Sequence, residues 1–284
     1  MMPWTLAFNT NGFAHHRLTD AIVVLSELGY KGVALTLDVH HLDPYSDHWR
    51  DELTAVSELL ARVQMSVLIE SGARYQLDPR RKHFPSLLCD DPHRGVRLDF
   101  LNRCLDVAAA LGAPIVSLWS GHDFDGVGRK VGMDRLVEGL ETLLPRAEAA
   151  RIDLAFEPEP GMFIETLDQY QELKDRLPSP RFGLALDVGH LLVTGECEPR
   201  DALRRYRGDL VCVAIEDMKR GVHEHLPFGQ GDLEVAEVLL GLQEIGYRGF
   251  LSVELSRASP DAPRQAEAAV DFLSALGRQL GLIR

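Results

Sequence analysis

The sequence predicts an α/β chain folded as one (β/α)8 barrel over residues 1–284. Three observations lead there. Eight short apolar runs alternate with amphipathic runs along the whole chain, about 35 residues per unit. No Ser/Gly-rich linker or shift of composition divides it. No Gly-x-Gly-x-x-Gly follows the first run, so a dinucleotide-binding sheet has no support. Eight unbroken units suit a closed barrel better than an open sheet.

The predicted strands are 4–9, 32–37, 66–70, 114–119, 152–157, 183–187, 210–216 and 250–254. They are apolar along their length, as in strands covered on both faces. Between them, Leu98, Leu101, Leu105, Ala108 and Leu111 recur every three or four residues and keep one helical face apolar. Gly112 stands at the expected C-cap. Leu136, Leu140 and Leu143 repeat the pattern, as do Val235, Val238, Leu239 and Leu242. Thr19-Asp20 ahead of Ile22 reads as a helix start, and the last helix is expected near 264–280. Residues 27–32, Glu-Leu-Gly-Tyr-Lys-Gly, echo residues 244–249, Glu-Ile-Gly-Tyr-Arg-Gly. The second and eighth strands should therefore be entered by the same tight turn.

The net charge is −13 and the pI about 5.3, which disfavours nucleic acid as a partner. No apolar run reaches the roughly 18 residues of a membrane span, and the N-terminus lacks the basic region of a signal peptide. Cys89, Cys104, Cys197 and Cys212 are widely spaced, with no C-x-x-C pair. We expect a cytoplasmic protein with free thiols. A homo-oligomer is compatible with this composition.

A barrel carries its chemistry at the C-terminal strand ends. Reading those ends gives Asn9, Leu37 followed by Asp38, Glu70, Trp119, Glu157, Asp187, Glu216 followed by Asp217, and Glu254. Carboxylates crowded at one mouth repel unless a cation compensates them. One divalent metal ion is the simplest compensation, and mixed carboxylate and imidazole donors suit Mn²⁺, Mg²⁺, Co²⁺ or Zn²⁺. The competing reading is that each acid caps a helix or pairs with an arginine. Four acids on consecutive strands make that reading the weaker one.

Histidines cluster at His15-His16, His40-His41, His190, and His223 with His225. His190 follows Asp187 by three residues and is expected in the turn beyond the strand. The stretch from Ser71 to about Pro92 has little periodicity and holds Arg74, Arg80, Arg81, Lys82 and His83. Such loops often cover sites. A cationic cover over an acidic mouth suits an anionic or oxygen-rich small molecule. Arg74, Lys82 and His83 are the substrate-binding candidates here; Arg80 and Arg81, beside Pro79, read as a solvated turn.

Four motifs resemble one family. They are Phe156-Glu157-Pro158-Glu159-Pro160, Ala185-Leu186-Asp187-Val188-Gly189-His190, residues 225–232 (His-Leu-Pro-Phe-Gly-Gln-Gly-Asp), and Ser252-Val253-Glu254. Together they resemble the xylose-isomerase-like TIM barrels. That superfamily includes sugar isomerases and epimerases, hydroxypyruvate isomerase, inosose dehydratase and the apurinic endonucleases. The motifs run from the fifth strand to the end of the chain. The resemblance implies that Glu157, Asp187 and Glu254 hold one divalent metal and that Glu157 and Glu254 exchange the substrate proton. It implies substrate contacts for His190 and His225.

The chain departs from that pattern on its seventh strand, where the family's metal-binding His is Ala214. Glu216, two residues on, returns to the same strand face and is the expected replacement, with His225 the runner-up. The resembling nucleases carry further histidines on strands three, four and seven, where this chain has Glu70, Trp119 and Ala214. That departure counts against a DNA-repair endonuclease; Glu70, a strand-end acid, is another substrate-binding candidate.

The expected activity is a metal-dependent isomerase or epimerase of a small sugar or polyhydroxy carbonyl compound. The alternatives are a metal-dependent dehydratase of a keto-cyclitol or keto-acid, and a non-catalytic metal- or sugar-binding barrel.

Overall fold

The computed structural model describes residues 3–283. Eight parallel strands close into a barrel: β1 (Thr5–Asn9), β2 (Gly32–Thr36), β3 (Ser66–Glu70), β4 (Ile115–Trp119), β5 (Asp153–Glu157), β6 (Phe182–Asp187), β7 (Leu210–Ile215) and the last strand, β10 (Phe250–Val253). Around the ring the hydrogen-bonded order is β1-β10-β7-β6-β5-β4-β3-β2. Each predicted strand is present, with both ends within one residue of the expected positions. The strand interiors are largely apolar because they are covered: every residue of β2, β6 and β10 is buried.

Between β7 and β10 the chain adds an antiparallel hairpin, β8 (Asp217–Lys219) and β9 (Val222–Leu226), where the sequence pattern predicts only a loop. Gly221, at φ 73°, makes its turn.

The principal helices are α1 (Leu18–Glu27), α2 (Trp49–Val63), α3 (His93–Leu111), α4 (Gly128–Ala150), α5 (Leu167–Arg176), α6 (Val188–Thr194), α7 (Pro199–Arg205), α8 (Val235–Glu244) and α9 (Ala262–Gln279). Helix α1 begins one residue before the expected Thr19-Asp20 start. Arg17 stands at its cap with no side-chain hydrogen bond, so no Ser, Thr or Asp side chain does that work. No helix among the described residues is long and apolar enough to cross a membrane.

The echo between residues 27–32 and 244–249 is structural. Tyr30 N donates to Leu25 O and Tyr247 N to Leu242 O, while Gly29 N donates to Ser26 O and Gly246 N to Gln243 O. Both glycines have positive φ, 95° and 70°. The same turn feeds β2 and β10.

Packing groups the chain into two compact units, each with its own core. One comprises Met1–Ala34, Leu59–Ser66 and Leu184–Arg284. Its aromatic centre is Phe8, with edge contacts to Phe13 and Tyr30 at 5.5 and 5.7 Å. The other comprises Leu35–Glu58 and Val67–Gly183, where Phe156, Tyr170 and Phe182 pack together. Four cysteines are free thiols, three of them buried.

Candidate functional site

In the first unit, Asp187 ends β6 and is also the N-cap of α6. Its Oδ1 accepts from the main-chain N–H groups of Gly189 (2.7 Å) and His190 (3.2 Å). The helix-capping alternative thus holds for one oxygen only. The other, Oδ2, is buried with no hydrogen bond and lies 3.5 Å from His190 Nε2. Burial pushes the Asp187 carboxyl up, but His190, His225, Glu216 and the main-chain N–H of His190 together outweigh it and hold the group below the usual carboxylate range. His190 sits in the first turn of α6, not in a loop, because the capped Asp187 starts the helix at once.

Asp187 pairs in register with Ala214 of β7, and Ala214 with Ser252 of β10. Side chains at paired positions of a parallel sheet share a face, so the methyl of Ala214 leaves room beside Asp187. Glu216 lies just beyond β7 and is fully buried. Neither of its oxygens has a hydrogen-bond partner. Its carboxyl is pushed well above the ordinary value, first by burial and then by the charges of Asp187 and Glu254. Gly189 opens the space it occupies: a Cβ there would fall onto Glu216 Oε1. The neighbouring acid, Asp217, is engaged differently, accepting from the N–H groups of Gly229 and Leu233 to organise the loop after the hairpin.

The hairpin delivers His223 and His225 from β9, which explains why they are two residues apart: both face one side of a strand. His225 Nδ1 lies 3.7 Å from Glu216 Oε1. One donor atom each from Asp187, Glu216 and His225 lies within 4.8 Å of the others, a set able to hold a metal ion. His190, His223 and His225 form a second such set, with ring centroids 4.9 to 6.1 Å apart. Burial lowers His190 to about 4, against the opposing pull of Asp187, so its imidazole is neutral at pH 7.

Glu254 follows β10 directly. Asn9 Nδ2 donates to its Oε2 and Asn11 Nδ2 to its Oε1, both at 2.9 Å. Asn9 is legible as a strand-end residue; Asn11, in the turn behind it, carries no sequence signal.

In the second unit, Glu157 ends β5 in register with Trp119 of β4. Glu70 ends β3, and its Oε2 accepts from Thr36 Oγ1 at 2.6 Å. The stretch from Ser71 to Pro92 contains no helix or strand, as expected. Asp78 ties down the main-chain N–H groups of Arg80 and Arg81, and the Arg81 guanidinium, so these two arginines do form a solvated turn. Arg74 is half-buried and Lys82 exposed.

His83 departs from its expected cationic role. It is buried, its ring stands edge-on to Trp119 with centroids 5.2 Å apart, and burial together with Lys82, Arg97 and Arg74 lowers it to about 3. It is therefore a neutral hydrogen-bonding group at pH 7.

The family model described as "Xylose isomerase-like TIM barrel" matches residues 22–276. The chain is 24% identical over 260 residues to L-ribulose-5-phosphate 3-epimerase UlaE of Shigella flexneri serotype 5b (strain 8401), covering 88% of this chain and 90% of that one. A solved D-tagatose 3-epimerase-like protein superposes with a TM-score of 0.78 at 18% identity, covering 97% and 99% of the two chains. The IolI protein, solved with a bound zinc atom, superposes with a TM-score of 0.76 at 18% identity, covering 96% and 98%.

Proposed function

Because this chain belongs to the xylose isomerase-like TIM barrel family, we propose that it is a divalent-metal-dependent epimerase or isomerase of a small keto-sugar. The observation that carries the reading is the buried, unsaturated donor set at the ends of β6 and β7. Asp187 Oδ2, both oxygens of Glu216 and His225 Nδ1 have no hydrogen-bond partner. Buried polar atoms of this kind are costly unless something pairs with them, and a divalent cation fits carboxylate and imidazole donors together. Asp187, Glu216 and Glu254 are the proposed holders, with His225 beside them. When bound, the ion supplies positive charge against which a carbonyl oxygen can gain negative charge. Mn, Mg, Co and Zn all suit the set, and the zinc of the related IolI protein supports zinc among them.

The chain's own residues divide the remaining work. Glu254 takes or returns the proton on the carbon beside the carbonyl. Asn9 and Asn11 hold its two oxygens in one orientation, so no rotamer search precedes transfer. Glu157, at the end of β5, is the second carboxylate proposed for proton exchange. A carboxylate of pKa about 4 is a weak base toward carbon, so charge stabilisation of the developing enediolate must carry part of the barrier. His190 and His83, both neutral, are suited to hydrogen bonds with substrate hydroxyls, as are Glu70, Arg74, Lys82 and His225. The relative that acts on L-ribulose 5-phosphate and the D-tagatose 3-epimerase-like fold neighbour support a ketose substrate. Free thiols support a cytoplasmic setting.

The test is NMR of D-tagatose and of L-ribulose 5-phosphate in D2O with the Mn²⁺-loaded protein. Solvent deuterium should enter the carbon beside the carbonyl with product mass otherwise conserved, and Glu254→Gln should abolish it. Loss of one water would point instead to dehydration. No exchange with either ketose would count against the reading.

A further inference from the structure

Arg97, in the second turn of α3, is buried at 6% exposure and has no carboxylate partner among the described residues. Burial pushes its guanidinium down to about 10, still charged at pH 7. A buried charge without a counterion is costly and must be fully hydrogen-bonded to persist. Its bonds go to the loop after β3: Nε donates to Pro85 O at 2.7 Å and an Nη to His83 O at 2.9 Å. That short segment is otherwise unusual. His83 has φ 61°, a left-handed backbone that side chains other than glycine seldom adopt. Its N–H donates to Arg74 O at 2.7 Å. Its ring meets Trp119 edge-on, and Trp119 is the β4 partner of Glu157. Ser71, His83, Ser86, Arg97, Trp119 and Ser120 line one small cavity there. A charge is thus committed to main-chain carbonyls at the point where the backbone is strained and the loop meets the wall beside Glu157.

We infer that Arg97 is a positioning residue: its guanidinium latches residues 83–85 to α3 and so sets His83 edge-on to Trp119, beside Glu157. Its consequence for turnover rests on the epimerase reading; the latch itself does not. A planar fork reaching two carbonyls does what a single ammonium cannot. Removal releases the loop while leaving Glu157 and the donors at β6 and β7 in place.

The test uses the full chain in a Trp4→Phe, Trp49→Phe background, so that Trp119 alone reports. Arg97→Met should make the amides of residues 72–90 exchange at least tenfold faster and shift Trp119 emission to the red. Arg97→Lys should fall between it and the parent. His83→Gly suits the left-handed backbone and keeps the carbonyl that Arg97 holds, so it should retain amide protection. With D-tagatose as probe, Arg97→Met and His83→Gly should each lower kcat/KM about tenfold, and the double variant no further, because both act through one imidazole. Unchanged exchange and emission in Arg97→Met, or additive losses in the double variant, overturn the latch. Should Arg97→Met not fold, Arg97→Lys takes its place in both measurements, and the same two results overturn the latch. If the parent protein leaves D-tagatose unchanged, the exchange and emission measurements decide the latch without it.

Discussion

Glu216 occupies the space that a side chain on Gly189 would fill. The glycine lies two residues beyond the end of β6 and the glutamate one beyond β7, so the buried carboxylate depends on a hydrogen atom elsewhere in the sequence. Gly189→Ala should drive Glu216 off its position. Overpacking of this kind costs about 1–3 kcal/mol, and Mn²⁺ affinity should fall at least tenfold. Titration calorimetry and thermal denaturation check the two effects separately.

Asn9 and Asn11 hold the two oxygens of Glu254. Asn9 is fully buried, so Asn9→Ala should also destabilise the fold, by about 1–3 kcal/mol for a lost buried hydrogen-bonding group. Asn11→Ala should be nearly neutral for stability. Both should slow deuterium incorporation into a ketose by tenfold or more. A rate unchanged in Asn11→Ala would show that Glu254 keeps its orientation without the clamp.

His83 gives the protein a pH-dependent stability. Its folded pKa, about 3, lies below the ordinary histidine value of 6.5. Between those values the unfolded chain binds the extra proton, so the contribution is complete above about pH 6.5 and is lost as pH falls toward 3. The slope is about 1.4 kcal/mol per pH unit for one proton. Urea unfolding of the parent and His83→Gln at pH 7, 6 and 5 should show the difference between them shrinking at the acid end.

The proposed metal site requires that divalent cation stabilise the metal-stripped protein, since a donor set present only in the native fold would bind it and the unfolded chain would not. At one hundred times the dissociation constant the gain is about 2.7 kcal/mol. Glu216→Gln should remove most of the metal-dependent rise in melting temperature. It should also raise the melting temperature of the stripped protein at neutral pH, since burial disfavours the charge on Glu216. A melting temperature unmoved by Mn²⁺, Co²⁺ or Zn²⁺ would argue against the cluster as a metal site.

Much of this arrangement is legible in one dimension. The eight strands follow from apolar runs and their spacing, since a strand covered on both faces has little choice of composition. Asp187, Glu216 and Glu254 follow from the rule that parallel strands in a closed barrel present their C-terminal ends to one side. The repeated Glu-x-Gly-Tyr-x-Gly turn is visible because positive φ selects glycine at Gly29 and Gly246.

What escaped the sequence has a common physical origin. Arg97 looks like any polar residue in a helix; only the packing of a distant loop shows its guanidinium buried on two carbonyls. His83 reads as a cation until burial makes it neutral. His223 and His225 read as loop residues because the hairpin's strands are short and polar. Asn11 and Gly189 matter through what stands opposite them. The local pattern along the chain determined which segments are strands and helices and which acids end them. The tertiary fold alone decided which of those acids are capped, which are left unsatisfied and which neighbours hold them, because desolvation and hydrogen-bond partners depend on distances between residues far apart in sequence.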